Sequence, residues 1–253
     1  MRAQPHAGLR GRVLRYTGWR EHSARPVRRV EVPWAGVVAI VCFGVPYKLD
    51  GEPFDAFVGG LSDRPLMTEF VGAAGGVQVD FTPLGARRCL GLPMEELTNR
   101  VVALEDVFGP ALLAEELQEA PDWPQRFALL DAALLRRAAI GPAPAPEVAW
   151  TFRRLAAADG RLSIGALAAE VGWSRRHLAS RWRRDVGLTP KATARVLRFE
   201  RAHALVRAGR ALADVAYDCG YADQSHFNRE FRALAGATPR EVTFVQDGDA
   251  API

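Results

Sequence analysis

Two short stretches carry side chains whose types and spacing suit work on the edge of a base pair. The first is SRRHLASRWRRDVG (174–187) and the second DQSHFNREFRALAG (223–236). Arginine donates bidentately to guanine O6 and N7, and asparagine or glutamine pairs with adenine N6 and N7. Serine reaches either a base or a phosphate. On a helix turning 100° per residue, Leu178 and Trp182 lie within about 40° of each other. Arg176, Ser180 and Arg183 fall about 140–200° away from Leu178, on the opposite face. The second stretch divides the same way. Phe227, Phe231 and Leu234 share one face, Ser225, Arg229 and Arg232 the other, and Asn228 flanks them. Gln224 sits at the helix start, where base edges are met. His177 and His226 hold equivalent flank positions; a half-buried, satisfied imidazole is the expected role, ahead of a phosphate contact.

Any amphipathic surface helix separates its residues in this manner, so one stretch alone decides little. The elements needed to position these residues decide more, because they are repeated. LAAEVGWS (167–174) matches VAYDCGYA (215–222), and HLASRWRRDVGLTP (177–190) matches HFNREFRALAGATP (226–239). In each copy a short helix precedes a glycine, Gly172 or Gly220, which accepts a left-handed backbone without steric cost. Ser174 or Asp223 then caps the second helix by offering an oxygen to its free amides. Ile164, Leu167, Ala168 and Val171 form the apolar stripe of the first short helix. This is a helix-turn-helix layout, present twice. Between the copies, residues 190–209 are expected to form one helix roughly 28 Å long. That approaches one turn of DNA, about 34 Å. Its Arg195, Arg198 and Arg201 are expected mostly in helix-surface pairs.

Charge follows the same division. Residues 147–244 hold 17 Lys and Arg against 10 Asp and Glu, whereas residues 1–146 hold 16 against 17. A basic C-terminal half is the footprint of a nucleic-acid surface. The composition, 49% hydrophobic and 25% charged over 253 residues, is that of a soluble protein of one large or two ordinary domains. No secretory signal or membrane span is expected. Cys42, Cys89 and Cys219 show no CxxC spacing, so buried core thiols in a reducing cytoplasm are expected.

Alternating prolines at 142, 144 and 146 mark a connector. The expected division is a sensing domain over 1–140, a Pro/Ala linker over 141–147, a DNA-binding domain over 148–244 and a tail over 245–253. The fold class is α+β, with a β-rich N-terminal domain and an all-α C-terminal one. Strands are expected at 37–43, 56–61, 66–72 and 77–85, and helices after Pro93. Trp123, Phe127, Leu130, Leu134 and Leu135 recur at helical spacing and are expected to pack within the domain. Glu69, Gln78 and Asp80 could line a pocket, but a wet strand face is the plainer reading.

Ala216, Gly220, Tyr221, Asp223, Ser225, Phe227, Arg229, Phe231, Arg232, Gly236, Thr238 and Pro239 resemble the signature of the AraC/XylS family of bacterial transcription regulators. The resemblance covers about 148–244. It departs at Val242, where the family more often has an aromatic. It implies base readers at Arg176, Ala179 and Ser180 in copy one, and at Gln224, Ser225, Asn228 and Arg229 in copy two; Ala179 can offer only a methyl contact. The full set of expected DNA contacts is Arg175, Arg176, Ser180, Arg183, Gln224, Ser225, Asn228, Arg229 and Arg232. The N-terminal part more loosely resembles a cupin-like regulatory domain. With only His6 and His22 there, no metal or other cofactor and no catalysis are expected.

The reading is a DNA-binding transcription regulator modulated by an effector or by dimerisation. Double-stranded DNA is the expected partner. RNA polymerase, a small-molecule effector and a second copy of the chain are admissible partners, and a membrane is not. Two alternatives remain: an alkyl-transfer repair enzyme fused to the DNA-binding module, and a non-specific architectural DNA binder.

Overall fold

The computed structural model describes residues 1–109 and 112–245, leaving aside the side chains of 112, 113 and 243–245. The expected tail beyond Val245 lies outside the described residues. The N-terminal half is built on one antiparallel sheet of eight strands: β1 (Arg2–Ala3), β2 (Val13–Glu31), β3 (Val37–Cys42), β4 (Tyr47–Leu49), β5 (Glu52–Phe54), β6 (Ala56–Gly59), β7 (Leu66–Phe81) and β8 (Val101–Ala103). The order is β1-β2-β7-β3-β6-β8, with β4 pairing both β5 and β7. Helix α1 (Pro83–Leu90) lies between β7 and β8, and α2 (Leu104–Phe108), α3 (Leu112–Glu119) and α4 (Trp123–Ile140) follow β8.

Two sequence expectations change here. The strands expected at 66–72 and 77–85 are one strand, β7, and its last expected residues instead open α1 behind the Thr82 cap. Gly75 and Gly76 fall in the gap between those expected strands, yet Gly76 is paired on both sides. A Cβ on it would lie 2.5 Å from the Val41 carbonyl oxygen and 2.7 Å from the Trp19 ring. Glycine there permits close approach within the sheet. The second change is β2, a 19-residue strand that sequence patterning did not indicate. Its pairing with β7 shifts register between Val13 and Arg15 and again between Ser23 and Val27. Bulges break the alternation of period two on which strand recognition rests. The 94–100 segment, expected to be helical, is a short 3-10 turn (Met94–Leu97) leading into β8.

One face of the sheet packs on the helices. Tyr16, Val77, Val79 and Phe81 meet Phe127, Leu130 and Leu134 of α4 in a single core, with Trp123 and Leu135 partly buried against it. The helical stripe therefore packs within this half of the chain.

After Gly141 the chain is extended until Pro146 begins α5 (Pro146–Ala157), so the extended stretch ends at Ala145, two residues before the expected end of the linker at 147. Proline at the first helical position loses no hydrogen bond, because that N–H has no intrahelical partner. The rest is helical: α6 (Ile164–Glu170), α7 (Arg175–Val186), α8 (Pro190–Arg207), α9 (Leu212–Asp218), α10 (Gln224–Ala235) and α11 (Pro239–Val245). Among the described residues no helix is long and apolar enough to cross a membrane.

Candidate nucleic-acid interface

The two helix-turn-helix units are α6–α7 and α9–α10. Gly172 and Gly220 carry φ of +70° and +72°, the left-handed turn that ends α6 and α9. Ser174 accepts from the His177 amide at 3.1 Å, and Asp223 from the His226 amide at 2.6 Å. Each second helix thus starts at a side-chain cap, and its first turn points free amides and polar side chains outward.

Inward anchors hold both helices. Leu178 and Trp182 are fully buried in one core with Leu167, Ala168, Val148 and Leu155. The Trp182 indole N–H donates to Thr193 Oγ1 at 3.1 Å, which satisfies its one polar atom. Phe227 and Phe231 are fully buried in a second core with Phe199, Tyr221 and Leu234. Phe227 meets Phe231 edge-on at 5.5 Å, and Phe231 packs on Phe199 at 5.1 Å. Val242 packs at the edge of that core, so the aliphatic side chain still closes it.

The opposite faces are wet and basic. Arg175, Arg176, Ser180, Arg181, Arg183 and Arg184 are exposed on α7; Gln224, Ser225, Arg229 and Arg232 are exposed on α10. Among the described residues, Arg175, Arg176, Arg183 and Arg229 make none of the ion pairs. Asn228 and Ala179 are half-buried, on the flank of their helices. Asn228 Oδ1 is enclosed with no hydrogen-bond partner, which leaves that amide ready to accept one. Gln224, Ser225 and Asn228 border an open groove of about 380 Å³ with Leu212 and Arg240. Arg181, Arg184 and Arg240 extend the basic surface beyond the residues singled out from sequence. They were legible as charges, but their positions matched no base-reading pattern.

Helix α8 spans 18 residues, about 27 Å, and contributes to both cores. Its arginines are mostly paired. Glu230 of α10, itself buried, accepts from Arg195 Nε at 3.2 Å and Arg198 Nη2 at 3.3 Å, and its other oxygen meets His226 Nε2 at 3.2 Å. Arg201 is exposed. His226 is therefore a satisfied, half-buried imidazole; His177 instead lies exposed, edge-on against Trp173 at 4.4 Å.

The N-terminal half touches both units. Leu61, Leu84 and Ala35 join the core of the first unit, and Val32 joins that of the second. Asp185, at the end of α7, pairs with Arg87 of α1 at 3.4 Å and accepts from the Ala145 amide at 2.9 Å; both side chains are under a tenth exposed. Asp63 approaches Arg195 at 3.9 Å.

A profile of the helix-turn-helix domain matches residues 167–243, across both units. This is an AraC-type helix-turn-helix domain. The transcriptional activator RhaS of Escherichia coli O157:H7 is 34% identical over 84 residues, a third of this chain. The matched stretch covers 30% of the length of that relative. Among solved structures, ToxT of Vibrio cholerae bound to an unsaturated fatty acid superposes over 99% of this chain and 100% of its own. Its TM-score is 0.53, at 12% identity. ToxT of strain O395 gives 0.51 over 92% of this chain and 98% of its own, at 11% identity. At such identity the likeness concerns the fold: an antiparallel sheet domain followed by a helical AraC-type domain.

That fold encloses a second feature. The face of the sheet away from α4 borders a cavity of about 740 Å³, walled by Trp19, Trp34, Tyr47 and Phe57 among others. Glu21, Arg29, Glu31 and Gln78 reach it. The remaining polar strand residues do not share this site. Asp80 is buried against Arg15 at 2.5 Å, and Glu69 pairs with Arg28 at 2.5 Å. The plain wet face expected for Glu69, Gln78 and Asp80 is corrected for two of them: Gln78 lines the pocket and Asp80 is buried, while Glu69 stays partly exposed. The signal missed was β2, which supplies Glu21, Arg29 and Glu31 to the cavity.

Proposed function

We propose that this chain is a sequence-specific, DNA-binding transcription regulator whose promoter binding is modulated through its N-terminal half. The observation that carries the reading is the duplicated, capped helix with fully buried anchors and an exposed basic and amide face. Arg175, Arg176, Ser180 and Arg183 of α7, and Gln224, Ser225, Asn228, Arg229 and Arg232 of α10, are the proposed contacts. Arg229 and Gln224 suit base edges, and the flanking arginines suit phosphates. The proposed working units are 1–140 for sensing and 148–244 for DNA. The described likeness to ToxT, solved with a fatty acid bound, and the cavity beside the sheet support a small-molecule effector. RNA polymerase and a second copy of the chain are further proposed partners.

An alkyl-transfer reading needs an accessible thiolate. Cys42, Cys89 and Cys219 are all buried, and desolvation pushes the first two thiols up to about 12 and about 11. These are poor nucleophiles, which favours the regulator.

The test is selection of duplexes from a random pool, followed by binding at several salt concentrations. A regulator gives an enriched site spanning roughly two helical turns, and an affinity that falls steeply with salt. Binding without enrichment would make the protein an architectural binder instead.

A further inference from the structure

We propose that the sheet cavity takes an organic monocation, an ammonium on an apolar or aromatic body, with Glu31 as its counter-ion. Occupancy is carried to the DNA-binding half by residues 31–36. The proposal rests on the effector-regulated reading above and names the class of effector.

Charge arithmetic inside the cavity comes first. Glu21, Glu31, Asp50 and Glu52 stand in the lining against Arg29, Arg64 and Arg100, and on β2 two carboxylates, Glu21 and Glu31, share one guanidinium, Arg29. Glu21 takes it almost whole: Arg29 Nη1 and Nη2 donate to the two Glu21 oxygens at 2.9 and 2.6 Å. Tyr47 adds a hydroxyl donation to Glu21 at 2.6 Å, and Trp19 donates to the Tyr47 oxygen at 2.9 Å. Against desolvation, these bonds hold the Glu21 carboxyl below its usual range. Glu31 keeps only a long donation from Thr68 Oγ1 at 3.4 Å, a hydroxyl that the Arg29 carbonyl shares at 3.4 Å. Glu31 is accessible, but it borders the cavity, where desolvation raises its carboxyl pKa despite Thr68 and Arg29. The site therefore holds one negative charge more than its cations balance, or a proton standing in for the missing one.

The walls complete the chemistry. Indole, phenol and phenyl faces attract a cation through their quadrupoles, more strongly where water is excluded. A cavity of this volume fits a drug-sized molecule with few polar handles. Arg64 and Arg100 also border it and would favour an anion. Both, however, donate to backbone carbonyls, of Asn99 at 2.7 Å and Glu96 at 3.1 Å, and lie exposed.

Transmission follows from one short segment. Glu31 and Trp34 border the cavity, while their neighbours Val32 and Ala35 pack into the two helix-turn-helix cores. The Ala35 amide also donates to Glu200 of α8 at 3.1 Å. A ligand that moves Glu31 or Trp34 acts on the helix that spaces both units.

The experiment compares two probes with one fluorescent body, dansylcadaverine and dansyl-6-aminohexanoate, on the full chain. We expect the amine to bind saturably and at least about tenfold tighter than the carboxylate. Glu31→Gln should bring the two within about threefold, and Glu31→Asp should restore the preference, with thermal melts confirming that each variant is folded. Equal or tighter binding of the carboxylate overturns the proposal, as does undiminished amine binding by Glu31→Gln. Saturating amine should change affinity for a selected duplex by about fivefold or more; no change overturns the transmission. Failure to select any duplex would instead count against the regulator reading, and the dansyl comparison is read independently of it.

Discussion

The first and second helix-turn-helix units begin from the same plan, and two of the aligned positions at which they differ change what each unit is tied to. Where the first has Asp185, the second has Leu234; where the first has exposed Arg181, the second has buried Glu230. Asp185 points out of its own unit to Arg87 and the connector amide, so α7 is fastened to the N-terminal half by a desolvated ion pair. Leu234 remains in its own core, and Glu230 gathers Arg195, Arg198 and His226 within the helical half. One unit is fastened to the N-terminal half, and the other is braced against the spacer helix. The difference shows how a duplicated motif divides labour: two aligned changes alter what each copy is tied to, while the exposed faces keep their basic character.

The largest effect should come from the fastening. Asp185→Ala leaves the Arg87 guanidinium buried without its partner, and should cost about 3–5 kcal/mol in denaturant unfolding. Leu234→Ala should cost a similar amount, about 2–5 kcal/mol, but through a cavity. If Asp185→Ala is nearly neutral, the two units are not tied differently.

Next comes the DNA face. Arg229→Ala should weaken a selected duplex by about 1–3 kcal/mol and relax selectivity at one position. The aligned residue in the first unit is the short Ser180, so Ser180→Ala should cost less. Uniform loss on all sequences for Arg229→Ala would make it a phosphate contact only.

A smaller effect is expected at Glu230. Its partners are partly exposed, so Glu230→Gln should cost about 1 kcal/mol of stability. Arg181→Gln in the first unit should leave stability unchanged within about 0.5 kcal/mol and reduce the salt dependence of DNA binding.

The smallest concerns pH. His203 stacks on Phe199 and meets Phe231, and desolvation, with Arg207 nearby, lowers its pKa. A group with a lowered folded-state pKa binds its proton more readily when unfolded. Stability from His203 is therefore present above the ordinary histidine pKa of about 6.5 and is lost as pH falls through its lower folded value. Thermal melts between pH 7 and 5 should show this decline, and His203→Phe should flatten it.

Most of the proposed DNA face could be read in the chain itself because the determinants of its helices are local. Cap residues, turn glycines and the 3.6-residue spacing of Leu178–Trp182 and Phe227–Phe231 act within a few residues of one another. The cavity was not legible. Its Glu21, Arg29 and Glu31 sit on β2, whose two register shifts and Pro26 within a bulged stretch hide the strand, and whose Arg and Glu resemble solvated surface.

The sequence by itself determined the duplicated helix-turn-helix, the inward anchors and the outward arginines, since helical periodicity and capping are properties of neighbouring residues. Only the tertiary structure decided that Arg29 neutralises Glu21 and leaves Glu31, that Asp185 finds Arg87 across 98 positions, and that Val32 and Ala35 reach two different cores. Pairing of charges and the sharing of a core depend on which distant segments are brought within a few ångströms, and no local pattern encodes that distance.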